Sequence, residues 1–491
     1  MSDERPASIL AARIGLYLGP LVFLAIALSP PPGSLSVAGW RTAGVMALMM
    51  VWWITEAVPI PVTSLLPLAL FPLLGVLDMG AAAAPYANEL IFLFMGGFFI
   101  AAAMERTGLH RRIALGIVSR VGTSPNRLVL GFMLATAFLS MWISNTATAA
   151  MMLPVALAVA GMLKPPLESG EPYPFGIGLM LGIAYAASIG GVATLIGTPP
   201  NAIMAGAIQQ FQGVQIGFGQ WMMVGVPIAA LLLPAAWLLL TRVLYRPGEL
   251  SGDVAGIIAA ERAGLGRMGR GERVVAVVFA LAAVAWIMRE PKDLGWIQIP
   301  GIASFAPGVK DSTIAIAASL VLFATPLDLK RHQFLLDWSS ASRISWGVLL
   351  LFGGGLSMAL AMDESGLAAW IGSGVSALES APYWVLLLAA TTLIVFLTEV
   401  TSNAATATMA MPLMAGAAAA LNQPAIPLMV AVGVSASMAY MLPVATPPNA
   451  IVFSSGYLTI PQMARAGWWM NLISILIITL AGVWLIPLVL M

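Results

Sequence analysis

Cysteine is absent from the 491 residues. That excludes disulfides, thiolate metal sites and a cysteine nucleophile. Histidine is nearly absent as well: His110 and His332 both fall in charged segments, where solvated positions at a membrane boundary are expected. Charge is scarce, at 9% of residues against about a quarter in an ordinary soluble chain. No Gly-x-x-x-x-Gly-Lys-Ser/Thr loop and no His-Glu-x-x-His pair occurs, so an ATP-driven pump or a zinc protease lacks its usual signature. There is also no Asn-x-Ser/Thr sequon, which fits a bacterial inner membrane. Residues 1–12 have mixed charge and no small-residue cleavage site, so no signal peptide is expected. What remains is apolar: 60% of residues are hydrophobic and the mean hydropathy is +0.94.

Segments long enough to cross a bilayer, about twenty residues for a helix, fall at 9–29, 41–57, 59–77, 89–104, 219–243, 273–289, 310–326, 344–362 and 466–490. Two longer stretches, 126–211 and 381–458, are interrupted by polar and Pro-containing motifs. A cytoplasmic N-terminus places the basic clusters at 106–127, 242–273 and 330–343 inside. Eighteen of the 22 basic residues then lie inside, leaving Arg41, Arg289, Lys292 and Lys310 outside. The expected fold is an all-α polytopic membrane protein with about eleven transmembrane helices, two re-entrant hairpins and an external C-terminus.

The polar interruptions come in pairs. Ile143-Ser144-Asn145-Thr146-Ala147-Thr148-Ala149 returns 258 residues later as Thr401-Ser402-Asn403-Ala404-Ala405-Thr406-Ala407. Thr-Pro-Pro-Asn-Ala-Ile occurs at 198–203 and again at 446–451. At the offset of 258, residues 94–109 match residues 352–367 at eight of sixteen positions, and Pro154 meets Pro412. The Thr-Pro-Pro-Asn copies differ by 248, which places about ten extra residues in the first copy, in a linker at 164–174. Chance similarity of apolar sequence does not produce an ungapped register of Gly-Gly, Ser-Asn and Pro landmarks. Basic residues follow the first copy's leading segment, whereas none lies between Arg343 and Arg465. The two hairpins are therefore expected to open from opposite sides, as in an inverted repeat with its site between the halves.

Small hydroxyls, amides and prolines at membrane depth free backbone groups that lipid cannot satisfy. Such oxygens suit a hard cation. The first cluster offers Ser140, Ser144 and Asn145, with Gly190, Gly191 and Gly197 leaving room for close backbone approach; Thr198, Pro199, Pro200 and Asn201 form its second wall. Symmetry predicts a second cluster from Thr398, Thr401, Ser402, Asn403 and the stretch Ala445-Thr446-Pro447. A lone serine in such a helix is ordinarily a packing residue; duplication of the whole cluster favours function. Neither hairpin tip contains Lys or Arg, so an anion bound there would need coupled cations and helix N-termini to balance it. Glu56 and Glu399 precede motif regions, either as proton or cation groups or as hydrogen-bond partners of a broken helix.

Together with Trp52-Trp53-Ile54-Thr55-Glu56-Ala57 and Ser437-x-x-Tyr440-x-x-Pro443-Val444-Ala445-x-x-x-Asn449-x-Ile451-Val452, these motifs resemble the divalent anion/sodium symporter family over essentially the whole chain. The resemblance implies a sodium-coupled carrier of dicarboxylates such as succinate, malate and fumarate. It also implies an inverted-repeat homodimer in the bilayer, whose protomers carry a fixed scaffold and an elevator-like transport domain. Scaffold helices would occupy 1–125 and 212–380, and the transport domain 126–211 and 381–458, with a final helix in 459–491. By motif position, one sodium site would use Ser140, Ser144, Asn145 and the Gly197 carbonyl. The other would use Thr398, Thr401, Asn403 and the Ala445 carbonyl. Substrate carboxylates would meet Ser144, Asn145 and Thr146 at one end and Ser402 and Asn403 at the other, with Thr198, Thr446 and Pro447 lining the cavity. The departure is Ala404, where many bacterial relatives have Thr. No organic cofactor, nucleic-acid partner or enzymatic activity is expected. An exchanger, a carrier of citrate, sulfate or another oxyanion, and a passive channel are the alternatives.

Overall fold

The computed structural model describes residues 6–163, 173–248, 254–293, 298–374 and 380–491; of the expected linker at 164–174, residues 164–172 lie outside them. The described chain is almost wholly helical, with two exceptions to the all-α expectation. Lys292–Asp293 pairs antiparallel with Gln298–Ile299, and Pro326–Asp328 with Gln333–Phe334. Both are short ribbons in connections between helices.

Seven helices among the described residues are long and apolar enough to cross a membrane, and five shorter apolar helices accompany them. The segment expected as one span at 59–77 is two pieces, Ile60–Thr63 and Leu66–Leu74. Pro59, Pro61 and Pro67 sit at their starts, where a missing N–H is tolerated, and cannot extend a continuous helix through Ser64–Leu65. Helix Pro6–Leu28 leaves Leu21 and Leu28 exposed, and Leu231, Leu281 and Trp484 are exposed elsewhere; such bare apolar side chains suit lipid rather than water. By contrast, every residue from Phe175 to Val192 of the helix Pro174–Val192 is buried, making it the centre of the core.

The two halves repeat element by element. Helix Glu89–Thr107 turns at Gly108 into Leu109–Val121; Trp346–Glu364 turns through Ser365–Gly366 into Leu367–Ser373. Both glycines adopt φ +76°, ψ +7°, a left-handed conformation that a side chain would strain. Each half continues with a helical hairpin, Pro125–Ser140 with Asn145–Leu163 and Tyr383–Leu397 with Asn403–Ala420. A broken helix follows: Pro174–Val192 and Pro199–Gln212 in the first half, Ala425–Ser435 and Pro447–Phe453 in the second. Each half closes on a long helix that widens into π turns, Phe218–Leu238 into Leu239–Leu244 and Ile460–Leu480 into Ala481–Leu485.

His110 departs from its expected solvated position. Its Nδ1 lies 3.0 Å from the Met104 carbonyl, and burial holds the imidazole below its ordinary pKa. His332 is exposed, as expected.

Candidate substrate and cation site

The hairpin tips and helix breaks of both halves meet around a cavity of about 1480 Å³. Ser144, Asn145, Thr146, Gly197 and Thr198 line it from the first half. Thr401, Ser402, Asn403, Ala404, Ala445, Thr446 and Pro447 line it from the second. Ser140 and Thr398 do not reach the cavity; they lie behind it, both fully buried.

Those two hydroxyls occupy matching settings. Ser140 Oγ is 2.6 Å from Asn145 Oδ1 and 2.7 Å from the Ala187 carbonyl. Thr398 Oγ1 is 2.7 Å from Asn403 Oδ1 and 2.8 Å from the Ala436 carbonyl. A hydroxyl carries one proton, whereas an amide oxygen and a carbonyl oxygen only accept. Each triad therefore has three oxygens and one proton, so one of its two contacts lacks a hydrogen. A cation would supply the positive charge that such a contact lacks.

The glycines permit this crowding. A Cβ on Gly190 would lie 2.2 Å from the Ala137 carbonyl, and one on Gly191 2.6 Å from Asn145 Oδ1. One on Gly197 would lie 2.4 Å from the Gly191 carbonyl, so Gly197, Gly191, Asn145 and Ser140 form a contiguous chain of close approaches. Ser144 Oγ instead accepts the Ala147 N–H at 3.3 Å, capping its own helix. Thr401 is also engaged locally, 2.8 Å from the Leu397 carbonyl and 2.6 Å from Thr406 Oγ1. Its hydroxyl is thus tied to its own hairpin rather than held beside Asn403.

Several carbonyls at the breaks are taken by side-chain amides. Asn201 Nδ2 donates to the carbonyls of Gly191, Val192 and Thr194, at 3.1, 3.2 and 2.7 Å. Asn449 Nδ2 does the same for Ala439 and Leu442, at 3.2 and 3.0 Å. Their shared place in both Thr-Pro-Pro-Asn copies is the sequence signal for this bracing role, which goes beyond the wall position expected of Asn201. Glu399 resolves toward the structural alternative. Its carboxylate accepts the backbone N–H groups of Tyr440 and Met441 and the Asn471 side-chain amide, at 2.7–3.0 Å, and so braces the second break. Its counterpart at offset 258 is Met141, whose carbonyl accepts the Thr194 hydroxyl. Glu56 caps helix Val37–Thr55 in a left-handed conformation and lines the cavity.

Four helices begin at the cavity wall. Asn145, Pro199, Asn403 and Pro447 are each the first residue of a helix, and each lines the cavity. Helix N-termini carry partial positive charge; the ends at Asn145 and Asn403 also present backbone N–H groups, whereas those at Pro199 and Pro447 open on two prolines that have none. Such ends are suited to the neighbourhood of an anion. Lysine contributes nothing to the wall among the described residues; its charged members are Glu56, Glu105, Arg106 and Arg343, none of them in a hairpin tip or a break.

Residues 12–491 match the family model described as the sodium:sulfate symporter transmembrane region. The chain belongs to that family. It is 44% identical to the sodium-dependent dicarboxylate transporter SdcS of Staphylococcus saprophyticus, over 96% of this chain and 91% of the relative. To the transporter of the same name from Staphylococcus aureus it is 42% identical, over 97% and 92%. Among solved structures it resembles the YdaH transporter of Alcanivorax borkumensis, with a TM-score of 0.55 and 15% identity, covering 98% of both chains. MtrF of Neisseria gonorrhoeae, described as illuminating a class of antimetabolite efflux pumps, gives 0.54 and 12%, covering 98% of this chain and 96% of the other. At such low identity these two likenesses speak for the fold alone.

Proposed function

We propose that the protein is a secondary active carrier that moves small dicarboxylates, of the succinate, malate and fumarate class, together with sodium. The observation that carries this reading is the joint geometry of the cavity: four helix N-termini around one space, backed by two symmetry-related oxygen triads. The helix ends favour an anion, and the triads favour small hard cations beside it. Sodium at the triads would offset the dianion's charge, which no Lys or Arg in the tips can do. Binding of either ion would therefore strengthen binding of the other. The names of the curated relatives support both the sodium and the dicarboxylate.

Ser140 with Asn145 and the Ala187 and Gly197 carbonyls would form the first sodium site, and Thr398 with Asn403 and the Ala436 and Ala445 carbonyls the second. Ser144, Thr146, Thr198, Ser402, Thr446 and Pro447 would face the carboxylates. The hairpins would be re-entrant and the halves inverted, in a fold of about eleven crossings. With Glu105, Arg106 and Arg343 at the basic end that the positive-inside layout makes cytoplasmic, the cavity would belong to an inward-open state of a bacterial cell-membrane protein with its N-terminus inside. Alternating access would follow from movement of 126–211 and 381–458, as a transport domain, against the scaffold of a homodimer.

The test is uptake of labelled succinate into proteoliposomes, with and without a sodium gradient and with and without internal dicarboxylate. Saturable, concentrative, sodium-dependent uptake inhibited by malate and fumarate is expected. Uptake that ignores sodium and requires internal dicarboxylate would instead make the protein an exchanger, and non-saturable flux a channel. Stronger inhibition by citrate or sulfate than by malate would move the substrate class.

A further inference from the structure

At the end of the molecule carrying Arg289 and Lys310, a buried ion pair touches the first half of the site at one remove. Arg289 and Asp311 are 7% and 8% exposed, and Arg289 Nε donates to Asp311 Oδ1 at 2.7 Å. They come from two separate elements: Asp311 opens helix Asp311–Ala324, and Arg289 follows helix Arg270–Ile287. The second carboxylate oxygen, Oδ2, accepts the backbone N–H of Phe218 at 2.9 Å. Phe218 is the first residue of helix Phe218–Leu238, so a side chain from a different helix supplies its cap. The matching helix of the second half, Ile460–Leu480, is capped from within, by Gln462 on the Thr459 N–H at 3.0 Å.

From Phe218 the connection divides toward both walls of the first oxygen triad. Its ring stacks on Trp286, with centroids 4.6 Å apart, and on Trp142, 6.0 Å apart. Trp142 lies two residues before Ser144 in the first hairpin tip. One turn further along the helix, Trp221 Nε1 donates to the Val192 carbonyl at 3.0 Å, an oxygen that also receives Asn201 Nδ2 at 3.2 Å. Gly225 closes on the same carbonyl, since a Cβ there would lie 2.5 Å from it. Val192 is the neighbour of Gly191, which packs against Asn145 Oδ1. The hairpin tip and the helix break are thus both referenced to Phe218, and Phe218 is referenced to Asp311.

We infer that the Arg289–Asp311 pair positions the first cation site, through Phe218 and Trp221, and has no equivalent acting on the second. The inference rests on the triads being cation sites, as proposed above. Removing one partner of a buried pair can prevent folding altogether, so the decisive variant is Trp221→Phe, which keeps an aromatic ring at this fully buried position and removes the hydrogen bond to Val192 together with part of the indole's packing volume. Half-saturating sodium should rise roughly three- to ten-fold, the size of one net hydrogen bond. The maximal rate at saturating sodium should stay within about two-fold, because no group touching substrate has changed. Asp311→Asn retains an acceptor for Phe218 and should move sodium dependence less than Asp311→Ala. Sodium-dependent thermal stabilisation of the purified protein, without dicarboxylate, gives a second reading of the same affinity.

A purely structural pair would lower the melting temperature while leaving half-saturating sodium unchanged in Trp221→Phe, and that outcome overturns the inference. Asn145→Ala, measured alongside, separates the two levels. Loss of sodium dependence in Asn145→Ala with none of it in Trp221→Phe sinks only the positioning role. Unchanged sodium dependence in both sinks the cation-site reading itself.

Discussion

Ser140→Ala and Thr398→Val test the paired triads most directly. Each removes one hydroxyl oxygen and its proton while leaving the two acceptors, Asn145 Oδ1 with the Ala187 carbonyl or Asn403 Oδ1 with the Ala436 carbonyl. Both side chains are fully buried, so water cannot easily replace the missing atom. An interaction with a charged partner is worth about 1.5–3 kcal/mol, which corresponds to roughly ten- to hundred-fold in affinity. Half-saturating sodium for succinate uptake should rise by that amount in each variant, and by similar amounts in the two, because their settings match. Thr398→Ser, which installs the hydroxyl used by the first half, should restore near-native sodium dependence. Proteoliposomes held at a fixed membrane potential provide the measurement, since a change in potential would alter the driving force for sodium. Wild-type half-saturation in both Ser140→Ala and Thr398→Val would refute the idea that these oxygens serve a cation.

Glu399→Gln replaces one of two acceptor oxygens with an NH₂ group facing the Tyr440–Met441 backbone or Asn471. An unsatisfied buried donor costs roughly 1–3 kcal/mol, so a lower melting temperature and weaker transport are expected, and a native melting curve with native transport would contradict the bracing role. Ala404→Thr adds to the cavity wall the hydroxyl that Thr146 provides in the other half; succinate affinity should rise about ten-fold relative to citrate, and an unchanged ratio would mean that the position does not face substrate. The cysteine-free chain allows labelling without background. Arg120→Cys should react with an impermeant thiol reagent only from the cytoplasm and Ser373→Cys only from outside, and reaction of both from one side would overturn the inverted arrangement.

Much of this layout was legible because polar residues are rare in the chain. Against an apolar background, two Ser-Asn clusters and two Thr-Pro-Pro-Asn clusters stand out, and their spacing carries the repeat. The matching left-handed turns at Gly108 and Gly366 fall within the aligned segment that revealed it. The break at Ser64–Leu65 was signalled by flanking prolines but masked by high hydropathy, which records burial and not continuity. Partner choice was less accessible. Sequence spacing does not say that Asn201 will turn its amide back onto Gly191 and Thr194, nor that Ser144 will cap its helix while Ser140, four residues earlier and outside the cavity, approaches Asn145. These outcomes depend on which buried groups remain unsatisfied once the helices pack, a question settled by tertiary structure.

The departures from symmetry are as informative as the symmetry. Both halves hold a hydroxyl between an asparagine and an alanine carbonyl, and both use the last asparagine of Thr-Pro-Pro-Asn to gather the broken backbone. Their support differs. The first half relies on glycine, with Gly191 against Asn145 and Gly225 against Val192, and on a helix capped by Asp311 of another helix. The second places Ala439 where the first has Gly191, and braces its break with the carboxylate of Glu399 and the amide of Asn471. A glycine-packed site tolerates small shifts of backbone against backbone, whereas a carboxylate holding two adjacent N–H groups fixes them to one side chain. On the proposed reading the two cation sites therefore answer to different parts of the molecule. Loosening the contacts around Asp311 should weaken sodium binding through the first, and altering Glu399 should weaken it through the second. Because no hydrogen bond links these groups among the described residues, Trp221→Phe combined with Glu399→Gln should shift sodium affinity by the sum of the separate free-energy changes. A double variant no worse than the poorer single one would mean that the two supports act on one common step.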